Sequence, residues 1–375
     1  MPPPATTRVV VVGGYGAFGV RVAERLALRG EFDVVIAGRS IERARVAAEA
    51  LQRASKNDVT AAVLDAQRPD VAALAALEPR VVINASGPFQ AQDYALARAA
   101  IAVGAHYVDL ADARGFVTGI TALDRSAKQA NVLVTSGASS VPALAAAIVD
   151  HHMPAFARLD TIEHGITPAN GYDPGVATTA SILGGLGKPI PMLIDGEWTT
   201  VHGWLGLRRV AIPGLGSRLM AYCDVPDVEL FPARYRNVRT VRFLAGLEVT
   251  MFQLSLWVLA MVAKRGLISR PERLAGVLMT MKRQLRFLGS DAGGMIVRLS
   301  GLSSEGIPLT RVVSLVARDN MGPFVPAIAA VVIARKLAHG DIQARGAMPC
   351  LGLMTLTEFQ AEVADLPIEI TTHDA

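Results

Sequence analysis

From Arg8 to about Asp150 the chain alternates short apolar runs with longer stretches of helical period. The runs are RVVVVG (8–13), DVVIAG (33–38), VTAAVLD (59–65), RVVINAS (80–86), HYVDLA (106–111) and NVLVTSG (131–137). Several are apolar throughout, as strands are when helices cover both faces of a parallel sheet. Between them lie Ala-rich helical segments such as IERARVAAEALQRA, preceded by Ser40 as an N-cap, and QDYALARAAIAVGA. This order predicts an α/β, Rossmann-like doubly wound parallel sheet. After residue 150 the strand-like pieces TIEHGI, RTVRFLAG, MIVRLSG and RVVSLVA are separated by Gly- and Pro-rich stretches without regular helices, so a second, α+β domain is expected. The apolar segment VPAIAAVVIARKLAHG reads as a helix stopped by Gly340. The domains expected are therefore 1–150 for the doubly wound sheet and 151–319 for the α+β domain, followed by the segment 320–375.

The turn after the first strand has the spacing Gly14-x-Gly16-x-x-Gly19 between a predicted strand and a predicted helix. In that setting it fits a dinucleotide diphosphate, which needs close backbone approach and the positive end of a helix. Gly14 is expected to make the bend, Gly16 to admit the diphosphate and Gly19 to let helix and strand pack. Gly13, Tyr15, Ala17 and Phe18 complete the cofactor-binding turn. Twenty residues beyond Gly19, where an enzyme selecting NAD places an acid, stands Arg39, followed by Ser40 and Arg43. A guanidinium there can pair with a ribose 2′-phosphate, so NADP is the expected cofactor. Ligands in such sheets bind beyond the carboxyl ends of the strands. That rule adds Asp65, and Ser86, Gly87, Pro88 and Phe89 of NASGPF, with Phe89 as an apolar wall.

Hydride transfer also requires a proton donor. HYVDLAD offers His106, Tyr107, Asp109 and Asp112, and the period-two alternation of a strand puts Tyr107 and Asp109 on one face. These two are the expected catalytic residues. His164 with Asp160, and Arg318, Asp319 and Asn320, are second candidates for orienting a substrate.

Composition removes other classes. Cys223 and Cys350 are the only cysteines, so neither a disulfide framework nor a four-cysteine zinc site can be built, and no metal site is expected. The 37 basic and 33 acidic residues form no block that would track a nucleic-acid backbone. No G-x-S-x-G elbow marks a serine hydrolase. MPPPATT lacks the order of a secretory signal and reads as a loose tail in a cytoplasmic protein. The uncharged segment 249–263 is shorter than the roughly 20 residues that span a bilayer. It reads as a core or homodimer-interface helix, with peripheral membrane contact through 249–263, beside Lys264 and Arg265, as the other reading.

With VVGGYGAFG, IAGRS, VINASGPFQ and GAHYVDLAD in order, the N-terminal part resembles the saccharopine dehydrogenase-like NADP-binding oxidoreductase family. A weaker likeness runs through FLGSDAGGMIVRLSG and VARDNMGPFVPAIAAVVIARKLAHG to GAMPC. The resemblance implies an NADP-dependent oxidoreductase acting on a C–N or C=C bond of a small molecule or acyl chain, with 151–319 concerned with substrate and dimer contacts and 320–375 returning to the first domain. It leaves open a trans-acting enoyl reductase on acyl chains and a non-catalytic NADP-binding sensor or scaffold. GASSVPAL stands where lysine-pathway enzymes would lead one to look for an Asp-Pro-Gly type turn, and the apolar segment around Trp257 suits a less polar substrate.

Overall fold

The computed structural model describes residues 7–374 except 91 and 174. Residues 1–6 of the expected tail lie outside the described residues. The chain forms two compact units, residues 1–144 with 323–354, and residues 145–322 with 355–375.

In chain order the first strands are β1 (Thr7–Val12), β2 (Phe32–Gly38), β3 (Val59–Val63), β4 (Val81–Asn84), β5 (His106–Asp109) and β6 (Leu133–Ser136). The second unit supplies β7 (Phe156–Thr167), β8 (Pro189–Ile194), β9 (Glu197–His202), β10 (Arg208–Ile212), β11 (Gly216–Tyr222), β12 (Thr240–Ala245), β13 (Gly293–Ser303) and β14 (Pro308–Ala317). The last strands are β15 (Gly346–Pro349) and β16 (Ile368–Asp374).

The first unit is a seven-stranded sheet in the order β15-β6-β5-β4-β1-β2-β3, parallel throughout. Val9 to Val12 are at most 1% exposed because the sheet is covered on both faces. On one face Val10, Val12, Val35, Val82 and Tyr107 pack with Leu74 and Leu96 from helices Val71–Ala76 and Ala95–Ala102. Helices Gly19–Leu28 and Phe324–His339 pack on each other, and the latter also meets β4 and β5. Phe324–His339 is an almost wholly buried helix of small and β-branched residues, ended by Gly340 at φ 79°.

The second unit is built on a mixed sheet in the order β10-β11-β12-β7-β13-β14-β16, with β12 and β7 its parallel pair. Two expectations shift here. The first unit closes at residue 144, and 355–375 belongs to the second unit, because β16 pairs antiparallel with β14 from Ile368 to Asp374. The alternation of the tail could not show which of two sheets had an open edge to receive it. His164 is not set against Asp160, which pairs with Arg158 at 2.8 Å. Its Nε2 instead lies 2.9 Å from Asp227 Oδ1, inside a wall of Phe231 and Phe243. Both side chains are fully buried, and beyond their mutual contact His164 Nδ1 and Asp227 Oδ2 are buried without a hydrogen-bond partner among the described residues. Arg318, Asp319 and Asn320 form a polar turn, in which Arg318 and Asn320 donate backbone N–H groups to the carbonyls of Pro367 and Asp291.

Candidate cofactor-binding site

The turn Gly13–Phe18 leads from β1 into helix Gly19–Leu28. Each of its glycines is required by a close approach. Gly13 has φ +79°, its N–H donates to Ala37 O at 2.8 Å, and a Cβ there would lie 2.9 Å from the Ala85 carbonyl carbon. The left-handed bend therefore falls at Gly13, one residue earlier than the spacing suggested. At Gly14 a Cβ would lie 2.8 Å from Val11 O, and at Gly16 3.1 Å from Gly13 O. Gly19 is the tightest, with a Cβ placed 2.1 Å from Gly13 O, so the helix can start against the turn only without a side chain. Within the turn the N–H groups of Gly14, Gly16 and Val20 are donated to the carbonyls of Ala37, Gly13 and Gly16. An anionic diphosphate fits this cradle because the missing side chains open a close approach to the start of the helix, whose dipole favours an anion.

At the end of β2 the structure adds a contact that the spacing of residues does not reveal. Tyr15 lies across the strand end, where a Cβ on Gly38 would fall 2.5 Å from its ring. The Tyr15 hydroxyl accepts the Ser40 N–H at 3.1 Å, and the Arg43 guanidinium sits 4.6 Å from the centre of its ring. Ser40 caps helix Ile41–Gln52 by accepting the Arg43 N–H. Arg39 is exposed beside them. The Arg43 guanidinium, the Tyr15 hydroxyl and a helix N-terminus thus meet where a 2′-phosphate is read in sheets of this kind, with the Ser40 hydroxyl donating to the Glu42 carboxylate at 3.2 Å. The sequence signal that would have found the platform is Gly38, a glycine at a strand end with no turn to make.

The other expected contacts divide. The Asp65 carboxylate accepts the Gln67 N–H at 3.0 Å, an ordinary turn bond that leaves it partly exposed. Ser86 is tied back to β4, with its hydroxyl and N–H both donating to Asn84 Oδ1, at 2.5 and 3.0 Å. Gln92, which no motif singles out, clasps the loop by donating to the carbonyls of Ser86 and Pro88. Gly87 and Pro88 remain exposed at this strand end. Phe89 is no exposed wall: it is 5% exposed and packs on Phe116 at 5.2 Å, because the turn directs its ring into the core.

Tyr107 and Asp109 share a face, but that face is interior. Tyr107 is 1% exposed and its hydroxyl accepts from Asn84 Nδ2 at 3.1 Å. Asp109 is fully buried, and its Oδ1 takes the Ser136 hydroxyl at 2.8 Å and the N–H groups of Gly137 and Ala111 at 2.9 and 3.0 Å. It ties the end of β5 to the turn after β6. Burial lifts its carboxyl to about 6 in spite of these donors, all of which fall on one oxygen. Burial likewise raises the Tyr107 hydroxyl well above its usual range. His106 is buried on the other face, accepts the Leu133 N–H at 2.9 Å, and is lowered to about 4 by desolvation. Among the described residues no group of His, Cys, Asp and Glu is arranged to hold a metal.

Residues 9–145 match the family model described as saccharopine dehydrogenase NADP binding domain. Among curated proteins, a lipid droplet localized protein of Caenorhabditis elegans is 33% identical over 144 residues, which are 36% of this chain and 34% of that protein. Only about a third of that relative is therefore spanned. Among solved structures, apo saccharopine dehydrogenase (L-Glu forming) from Saccharomyces cerevisiae superposes with a TM-score of 0.70 at 15% identity. It covers 98% of this chain and 100% of that one, a likeness of fold through both units. Residues 9–145, with their glycine cradle and the guanidinium platform beside it, are thus similar to a saccharopine dehydrogenase NADP binding domain.

Proposed function

We propose that the chain is an NADP-dependent oxidoreductase that moves a hydride to or from a C–N or C=C bond of a partly apolar small molecule or acyl chain. The observation that carries this reading is the union of the glycine cradle with the Tyr15–Ser40–Arg43 platform. Bound NADP supplies the hydride chemistry. The turn Gly13–Phe18 at the start of helix Gly19–Leu28 would hold the diphosphate, Arg39, Ser40 and Arg43 would hold the 2′-phosphate, and Ser86, Gly87 and Pro88 would border the cofactor at the end of β4. Tyr107 and Asp109 act as positioning residues. Buried as they are, they set the turn 136–138 through the hydrogen bonds of Asp109 to Ser136 and Gly137 rather than exchange a proton with an acceptor.

NADPH consumption against imine, enoyl and keto acceptors tests the reaction class. Tight NADPH binding with uniformly silent turnover would move the chain to the sensor or scaffold reading. The platform has its own test. Arg43→Ala and Arg39→Asp should each weaken NADPH binding about ten- to a hundredfold, the size of a lost charge-assisted contact, and leave NADH within about threefold. Titration by protein fluorescence checks this, and an Arg39→Asp/Arg43→Ala variant that keeps its preference for NADPH removes the assignment.

Peripheral association with a lipid surface is part of the proposal, with action in the cytoplasm. It is supported by the lipid-droplet localisation that gives the curated relative its name and by an exposed apolar helix in the second unit. Among the described residues no helix is long and apolar enough to cross a membrane.

A further inference from the structure

Helix Thr250–Lys264 presents apolar residues on both sides. Its buried positions Gln253, Leu256 and Ala260 follow helical spacing along one side, where Leu256 and Ala260 join Leu183, Leu186, Trp204 and Ala275 in one cluster. On the opposite side Met251, Leu254 and Val258, again three and four residues apart, are 51, 41 and 49% exposed. Helix Ala275–Gln284 repeats the design, with Ala275 and Met279 inward and Val277 and Met281 outward. Phe287 follows it at 74% exposed. Of the fifteen large hydrophobic side chains exposed among the described residues, nine lie in residues 251–288, about a tenth of the chain. Clustering of this kind marks a contact surface, where scattered exposed apolar residues mark nothing.

Charge says what the contact is with. Residues 250–288 hold seven Lys and Arg and one acid, Glu272, a net +6 against +4 for the whole chain, so the rest of the chain sums to −2. Lys264, Arg265, Arg270, Arg273 and Arg286 are exposed, around the ends of the two helices. A second copy of the chain seated here by a two-fold axis would bring like charges together. An apolar interior under an anionic rim satisfies both features at once.

We propose that residues 250–288 seat the protein on an anionic phospholipid surface. Met251, Leu254, Val258, Val277, Met281 and Phe287 enter the acyl boundary, and Lys264, Arg265, Arg270 and Arg273 meet the phosphates. The proposal rests on the peripheral-association reading above and gives it a face. It also takes the apolar helix away from the homodimer interface expected from the sequence.

The test is flotation of the full chain with phosphatidylcholine vesicles, with and without phosphatidylserine. The wild type should float with the anionic vesicles and be released by salt. Leu254→Gln/Val258→Gln/Phe287→Gln, and separately Lys264→Glu/Arg270→Glu/Arg273→Glu, should each lower the bound fraction about tenfold while NADPH affinity and melting temperature hold. Variants that float as well as the wild type would overturn this face and leave peripheral association standing. A folded wild type that floats with neither vesicle overturns both. Loss of a dimer in the apolar variant, without vesicle binding by the wild type, would give the face to a second copy.

Discussion

Gly19→Ala is expected to abolish measurable NADPH binding and to lower the melting temperature. The added methyl would stand 2.1 Å from the Gly13 carbonyl oxygen, and both partners of that clash are backbone. No rotamer can relieve it, so either the helix start or the turn must move. Overpacking of this kind costs about 1–3 kcal/mol, or several degrees in a chain of this size. The larger effect is expected on the cofactor, because the displaced turn is the one proposed to hold the diphosphate. An increase in Kd of about a hundredfold or more is expected. Gly276→Ala is the control: it sits in helix Ala275–Gln284 with nothing within 4 Å of the added methyl. That change should leave NADPH binding intact and raise stability by about 0.5–1 kcal/mol. Calorimetric titration of both variants decides the matter, and a Gly19→Ala protein that binds NADPH like the wild type would show that the turn does not hold the diphosphate.

The second large effect is a change of pH dependence on replacing Asp109 by Asn. The folded carboxyl, lifted to about 6, lies above the ordinary value of 3.8. A raised folded value favours the protonated form. The stability it confers is therefore fully present below pH 3.8 and lost as pH rises through 6. A displacement of that size corresponds to about 3 kcal/mol. An asparagine in this place cannot ionise, and its carbonyl oxygen can keep the three donors that Oδ1 now accepts. Relative to the wild type, the Asp109→Asn protein should gain about 3 kcal/mol between about pH 4 and pH 7. His106, lowered to about 4, runs in the opposite direction, losing stability as pH falls through 6.5 towards 4, so absolute curves for either protein mix the two. The difference between Asp109→Asn and wild type cancels that contribution. Urea unfolding at stepped pH reads it, and a difference that stays flat from about pH 4 to pH 7 would mean that Asp109 is charged in the fold throughout.

Much of the first unit was legible because its information is local. A run such as Val9–Val12, buried on both faces, can only be a central strand, and Gly14, Gly16 and Gly19 at their spacing between strand and helix can only be a close-approach turn. Arg39 was singled out by counting from Gly19 to the end of the next strand, where it stands exposed. The platform beside it was half visible: Ser40 and Arg43 were seen, but Tyr15, 25 residues before Ser40, reaches it only because β1 and β2 are neighbours in the sheet. The positions that misled are those where a polar or aromatic residue at a strand end could face either way. Phe89, Tyr107 and Asp109 all turned inward, and His164 found Asp227, 63 residues on, rather than Asp160.

Alternation and spacing alone therefore determined the parallel sheet and the close-approach glycine turn after its first strand, since each depends on residues a few positions apart along a strand or helix. Only the tertiary structure decided that β16 joins the second sheet, that Asp109 is a buried clasp, and that Met251, Leu254 and Val258 face outward. The physical reason is that burial is a property of what packs against a residue. The same apolar stripe lines a core or meets a lipid according to neighbours that lie far away in the chain.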